Sequence, residues 1–596
     1  MQPKGIMVTI RTGGEELLCI YEKAAGHPFF SEELAYALRD AGVIRVTEGA
    51  CQVVPDAGDF RTVPFPETLE GVITSRFDRL PPVHQLLLKV ASVIGPVVPV
   101  ALLQAISPIA LEAAHMADIL AALDQVGFLL PEYDTHEGVY RLKHTLTHEV
   151  VYNLLPLAQR RPLHRDVAVW YERAHTNDLA LFSPLLAHHY TEAGLPEQAI
   201  PYWQQAGHHA SERSAHLEAI SHLTKGIELL KTLPETPMHI QQALHLHIAL
   251  GTALQMAKGL AAPEVEHAYD QARALCQQVG ETSQQVQVLL GVWRYYLARA
   301  QLHTARELGD TLLRLAHQTR DPAHAVVAHY ALGVTQLNCG VLPAARRHLE
   351  EGIVHYASDQ SRPPVFRMGQ ELGVGCHVYA AVTRWLLGYP AQALARLHEA
   401  LALAHELAHP YSLGLVWCYA AIIAQWRRDV SAVYEQAEAV VALSLEQGFP
   451  QWVALGMSLR GWALAMQGQG DEGIAQVRQG IAVYRATGAA LGGALLLHLT
   501  GRGCCPPGPP ARWSPGAGRG PHAGGAACGT LRRSGSLPPV GHLPPEAAGD
   551  VPGGSGSLVA AGPRCRSATE GENARAAGGN EPEPPVAAAA QAGPSA

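Results

Sequence analysis

The stretch GVTQLNCGVLPAARRHLEEG, residues 333–352, sets the architecture. Gly333 sits in an apolar helical segment, and twelve residues later a second helix presents Ala345, Leu349 and Gly352. Their i, i+4, i+7 spacing is one face of an α-helix. The same order recurs outward in both directions. Gly251, Gly291, Gly333, Ala381, Ala421 and Gly461 follow one another at intervals of 40, 42, 48, 40 and 40. Three further trios share the offset: Ala393, Leu397 and Ala400; Val433, Ala437 and Val440; Gly473, Val477 and Gly480. Small residues let two antiparallel helices approach closely, and the larger ones fill the groove between neighbours. One such hairpin cannot bury its own apolar face, so hairpins must stack into a solenoid. Leu349 and Leu397 are expected to be buried between repeats.

The bulk properties narrow the function. With 596 residues the chain exceeds one core, and its net charge of −9 gives no sign of a nucleic-acid or membrane-surface partner. The basic cluster Arg160, Arg161, His164 and Arg165 follows a helix and suits its C-terminal dipole. Cys19, Cys51, Cys276, Cys339, Cys376 and Cys418 lie far apart with no CxxC pair, which predicts reduced thiols in a cytoplasmic protein. No secretory signal opens the sequence. The most apolar run, residues 86–106, holds Lys89, Pro96 and Pro99 and argues against a membrane span.

Four regions are expected. Residues 1–65 read as a helix (EELLCIYEKAAG), a second helix capped by Ser31, and a β-rich stretch over 43–63. Residues 66–175 read as helices PETLEGVITSRFDRL, HQLLLKVASVIG and MADILAALDQVG, then a β-hairpin and the helix HTLTHEVVYNLL. Three helices and a two-stranded wing are the pattern of a winged-helix domain. Residues 176–500 form the array, whose first pair runs Ala187, Tyr190, Gly194, Ala199, Trp203 and Ala206, the order of a tetratricopeptide (TPR) repeat. Residues 501–596 are rich in Gly and Pro and lack Phe, Tyr, Ile, Met and Lys, the composition of a disordered tail. Reading that tail one nucleotide later through synonymous codons restores helix-like segments. We expect it to be translated from a shifted frame, which the DNA sequence would show. The fold class is therefore mainly α: a helical N-terminal region, a winged-helix module and a TPR-like α-solenoid, with a disordered C-terminal tail.

These residues also carry a resemblance. AAGHPFFSEELAYALRDAG (24–42), PETLEGVITSRFDRLP (66–81), RLKHTLTHEVVYNLL (141–155) and AHHYTEAGLPEQAIPYWQQAG (187–207) resemble successive parts of signal-transduction ATPases with numerous domains, the STAND class. KGLAAPEVEHAYDQARAL (258–275) is similar to the bacterial branch with a class III adenylate/guanylate cyclase, an AAA ATPase and TPR repeats. The resemblance covers about residues 15–500. It implies that Gly26, His27 and Pro28 form the lid turn on the adenine side of a nucleotide site, with Phe29 and Phe30 buried behind them. His27 stands where the family usually has Asn. The plainer reading is a helix C-cap followed by a proline turn.

Chemistry is not expected of the chain itself. A P-loop needs GxxxxGK[ST], and none of its lysines follows a glycine. ATP and Mg²⁺ belong to the complete family architecture, in a module encoded upstream. His144 and His148 are spaced i, i+4, but no third ligand is evident, so a wing-to-helix contact is preferred to a metal site. His188–His189 and His208–His209 point to different helix faces. The aromatic residues Trp293, Tyr295, Tyr296, Trp385 and Trp417 fill grooves or line the concave face. The reading is a non-catalytic sensor or scaffold that holds a protein or small ligand on its repeats. The alternatives are a fragment of an ATPase–TPR transcriptional activator ending in a helix-turn-helix, or a free-standing TPR adaptor.

Overall fold

The computed structural model describes residues 9–10, 28–47, 50–53, 68–132, 138–280, 282–358 and 371–493, with 496 and 499. All of these lie in one compact unit, residues 1–543. The expected helix over 15–26 and the expected tail after residue 500 fall outside the described residues.

The first described helix, α1 (Pro28–Asp40), starts earlier than the sequence suggests. Pro28 occupies its first position, where a fixed φ and a missing N–H do no harm. Ser31 therefore lies within the first turn and does not precede the helix. Strands β2 (Ile44–Thr47) and β3 (Ala50–Val53) pair antiparallel, and β1 (Thr9–Ile10) adds to β3 in parallel.

Next come α2 (Leu69–Asp78), α3 (Pro82–Ile94), α4 (Val100–Ile106), α5 (Ala113–Gln125) and α6 (Thr145–Asn153). The hairpin foreseen after α5 is present as β5 (Leu129–Pro131) and β6 (Val139–Leu142). It is joined by a strand the sequence reading missed, β4 (Val97–Pro99), giving the order β4-β6-β5. The miss has a physical cause. Val97–Pro99 is too short to alternate visibly, and the following apolar run continues directly into α4. Helix α2 is anchored by Thr68, whose hydroxyl accepts from the Gly71 N–H.

Helices α7 (Leu157–Ala174), α8 (Leu179–Glu192), α9 (Pro196–Glu212) and α10 (His216–Leu230) lead into the array. Among the described residues six antiparallel hairpins follow. Their first helices are α11 (Pro237–Lys258), α13 (Thr282–Ala298), α15 (Pro322–Asn338), α17 (Leu372–Leu386), α19 (Pro410–Arg427) and α21 (Pro450–Met466). Their second helices are α12 (Pro263–Val279), α14 (Leu302–Thr319), α16 (Leu342–Ser358), α18 (Pro390–Glu406), α20 (Val430–Gln447) and α22 (Gly470–Ala486). This is a TPR-like α-solenoid.

The small-residue positions do what their period implies. A Cβ at Gly333 would lie 2.6 Å from Leu349 Cγ, and one at Gly461 would lie 2.6 Å from the Gly473 carbonyl oxygen. Gly251 and Gly291 both receive the ring of Tyr269 from α12. Leu349 and Leu397 are buried, as are all members of the four trios. Among the described residues no helix is long and apolar enough to cross a membrane.

Candidate ligand cavity inside the spiral

The six hairpins curl until the two ends of the array meet. The Phe449 ring, between α20 and α21, lies 5.8 Å from the ring of His216 at the start of α10. A Cβ at Gly259 would lie 2.7 Å from Thr487 Cβ, and one at Gly488 would lie 2.7 Å from the Ala261 carbonyl oxygen. Gly488 and Gly259 both have positive φ, so each turn needs glycine for its backbone as well as for space. The segment after α22 then crosses the interior. The N–H groups of Ala490 and Leu491 both donate to the Ala298 carbonyl, at 2.8 and 2.9 Å. Tyr484 closes the loop by donating its hydroxyl to the Leu491 carbonyl.

Beneath this strap is a cavity of about 90 Å³, walled by the first helices of successive hairpins. Its wall is an aromatic ladder. Trp293 meets Tyr330 at 5.5 Å, Tyr330 meets Tyr379 at 6.0 Å, and Tyr379 meets Tyr419 at 5.0 Å between ring centroids. One ring comes from each of four consecutive hairpins, so the ladder fixes their relative positions. Trp293 is held in place by its indole N–H, which donates to Thr335 Oγ1 at 2.9 Å. The Tyr419 hydroxyl donates to that of Tyr379 at 3.3 Å. Tyr411 stands against Trp452 on the far side, with centroids 5.4 Å apart.

The electrostatics are those of a binding surface. Among the described residues of the lining Arg294 is the charged one, accompanied by Asn338 and Gln451. Among the described residues the lining holds no His, Asp, Glu, Lys, Ser or Cys. Burial pushes the Tyr411 hydroxyl up to about 12 and drives those of Tyr379, Tyr419 and Tyr484 upward too, so all remain protonated donors. The nearby Cys418 thiol is likewise pushed up to about 12 by burial. Among these groups there is no poised acid, base or nucleophile. The arrangement can hold an apolar or aromatic group and offer a guanidinium to an anion or acceptor.

A second polar cluster ties α1 to the module behind it. The Arg76 guanidinium on α2 is buried, donating to Glu33 and, at 3.0 Å, to Asp40 Oδ2. It is sandwiched between the rings of Tyr36 and Phe128, 4.8 and 4.7 Å from their centroids. Lys143 adds a bond to Glu32 at 2.5 Å and another to the Tyr36 hydroxyl at 2.8 Å.

Of the expected lid turn, Gly26 and His27 fall outside the described residues, and Pro28 opens α1. Phe29 and Phe30 are half-buried, less enclosed than the resemblance implied, because the face of α1 they occupy stays partly open. Phe29 packs on the ring of His144 at 4.1 Å. His148 bonds the Ser92 carbonyl on α3 at 2.8 Å, so His144 and His148 serve different neighbours. The cluster Arg160, Arg161, His164 and Arg165 lies inside α7. Arg160 Nε reaches back 2.7 Å to the Leu155 carbonyl just beyond α6.

Sequence reasoning missed the histidine pairing between α7 and α8. His164 Nδ1 and His189 Nδ1 lie 2.8 Å apart, and Tyr152 bonds His164 Nε2 at 2.9 Å. Nothing in the spacing of His164 and His189 signals it. Trp385 packs on Trp426 with centroids 6.2 Å apart, whereas Trp293 lines the cavity.

No protein-family model matches the chain. An uncharacterized protein of Rhizobium meliloti is 23% identical over 421 residues, which is 70% of this chain and 41% of that protein. The chain therefore spans about two fifths of the length of this curated relative. Among solved structures, a Rap protein complexed with competence and sporulation factor aligns over 48% of this chain and 77% of its own, with a TM-score of 0.37 and 10% identity. A STAND protein with a tetratricopeptide repeat sensor from Pyrococcus horikoshii aligns over 80% of this chain and 70% of its own, with a TM-score of 0.31 and 12% identity. At these scores the fold assignment rests on the hairpins themselves.

Proposed function

We propose that this chain is the sensor and scaffold segment of a STAND-type signalling ATPase, linked in the complete protein to a nucleotidyl cyclase. The observation that carries the reading is the cavity: an aromatic wall built by successive repeats, a guanidinium beside it, and a cover made by the chain's own segment. Its 90 Å³ accommodates a side-chain-sized group, well below the roughly 300–1,000 Å³ of a small-molecule site. A larger partner enters by displacing the strap at 487–492, which converts occupancy of the interior into a change at the junction of α10, α11 and α22.

The β4–β6 module is the proposed winged-helix coupler, and α1 the remnant of the ATPase lid bolted to it by Arg76. Such a coupler transmits a two-state change only if the partner binds one state better than the other. ATP and Mg²⁺ act in an upstream module that this chain does not supply. Sequencing the DNA upstream of codon 1 tests the proposal. An in-frame GxxxxGK[ST] followed by a strand with an acidic end supports it. An in-frame stop codon just upstream would leave a free-standing adaptor in its place, and an unrelated domain there would overturn the link to an ATPase.

A further inference from the structure

Outside the cavity, the hairpin of α15 and α16 brings together three metal-ligating groups on its own interface. His329 of α15 and His348 of α16 are both buried, and Glu351 lies one turn beyond His348 on the same face. His329 Nδ1 is 3.1 Å from His348 Nδ1 and 3.1 Å from Glu351 Oε2, and His348 Nδ1 is 3.9 Å from that oxygen. Ligands about 2.0–2.1 Å from one tetrahedral ion stand roughly 3.3–3.4 Å apart. The three separations bracket that edge. His355, a further turn along α16, stacks on the His329 ring with centroids 5.6 Å apart and planes 18° from parallel, which limits the ring's rotation.

We propose that His329, His348 and Glu351 form a binding site for a borderline divalent cation, Zn²⁺ in the first instance. Two imidazole nitrogens and one carboxylate select such an ion over Mg²⁺ or Ca²⁺, which prefer all-oxygen shells. Three protein ligands leave a fourth position open on the exposed side of Glu351. Occupancy would staple α15 to α16 and stiffen the hairpin that contributes Tyr330 and Asn338 to the cavity wall.

The metal-free arrangement explains itself differently, and the difference can be measured. The two Nδ1 atoms can share one proton, and Arg347 Nη2 approaches His348 Nε2 at 3.3 Å, which keeps that proton on the Nδ1 side. Metal binding through Nδ1 requires the proton on Nε2, so Arg347 must swing away.

The test uses the full chain, stripped with a chelator and titrated with Zn²⁺ by calorimetry, and with Co²⁺ as a spectroscopic probe. We expect about one equivalent bound tightly, intense Co²⁺ d–d bands of tetrahedral coordination, and a Zn²⁺-dependent rise in melting temperature that Mg²⁺ does not give. Glu351→Gln, at an exposed position that should not disturb folding, should weaken the site by at least about tenfold, and His348→Gln by more. Arg347→Ala should leave affinity unchanged or raised. A chain rich in histidine will also bind zinc adventitiously. Equal stoichiometry and affinity in wild type, Glu351→Gln and His348→Gln would therefore overturn the assignment. So would weak Co²⁺ bands of octahedral form.

Discussion

The backbone N–H of Leu491 donates to the carbonyl of Ala298 over 2.9 Å, joining the segment after α22 to the end of α13. With the Ala490 N–H on the same acceptor, it turns an open groove into a covered cavity. The cover depends on Gly488, whose φ is +75° and where a Cβ would lie 2.7 Å from the Ala261 carbonyl oxygen, so a side chain is excluded. Gly488→Ala should cost about 1–3 kcal/mol through backbone strain. It should also speed amide exchange at Ala490 and Leu491 more than in the α13–α15 core. Unchanged exchange at those two amides would show that the strap is not held as described.

The repeat packing makes a second prediction. Leu349 fills the notch opposite Gly333 and is fully buried, so Leu349→Ala should destabilise the array by about 2–5 kcal/mol. Leu397 retains 8% exposure and should fall at the lower end of that range. Denaturant unfolding checks both. A Leu349→Ala chain with the wild-type midpoint would contradict the stacked-hairpin assignment.

Arg76 offers a third. Its side chain is 1% exposed and neutralises Glu33 at 2%. Removing one member of a buried pair leaves the other charged and unsatisfied, at a cost of about 3–5 kcal/mol. Arg76→Met should therefore loosen α1 from α2 and raise protease sensitivity in residues 28–53, while the array melts as before. If Arg76→Met melts the array instead, α1 is not a separately docked element.

The histidines between α7 and α8 give a pH dependence whose sign can be worked out. Burial, with help from His188 and Arg160, lowers His164 to about 4, and burial with the neighbouring His164 and His188 lowers His189 further. Both groups titrate near 6.5 when unfolded. Below that value the unfolded chain binds more protons than the folded one, so stability falls as pH drops from about 6.5 towards 4. Each group contributes a slope of up to about 1.4 kcal/mol per pH unit. His189→Gln should flatten the fall in melting temperature across that window, and an identical slope would refute the role given to His189.

Much of the array was legible because its cause is local. Gly333, Ala345, Leu349 and Gly352 announce their packing through spacing within one hairpin. The β5–β6 hairpin was visible for the same reason, whereas β4 was hidden by its three-residue length. The closure of the spiral was not legible, since Gly259 meets Thr487, and Ala298 meets Leu491, only after every intervening hairpin has added its rotation. The same holds for the sites. His348 and Glu351 share a helix face in the sequence, but His329 joins them from another helix. Trp293 and Trp385 are alike in pattern, and only superhelical curvature decides which one lines the cavity.

We propose that this chain binds a partner and that nucleotide turnover belongs to a module outside it. Steady-state ATP hydrolysis by the purified chain, with Mg²⁺ present, tests it most directly. We predict a rate equal to buffer and a melting temperature unmoved by ATP. Hydrolysis that co-elutes with the chain on gel filtration, and that a substitution within residues 28–493 abolishes, would contradict it.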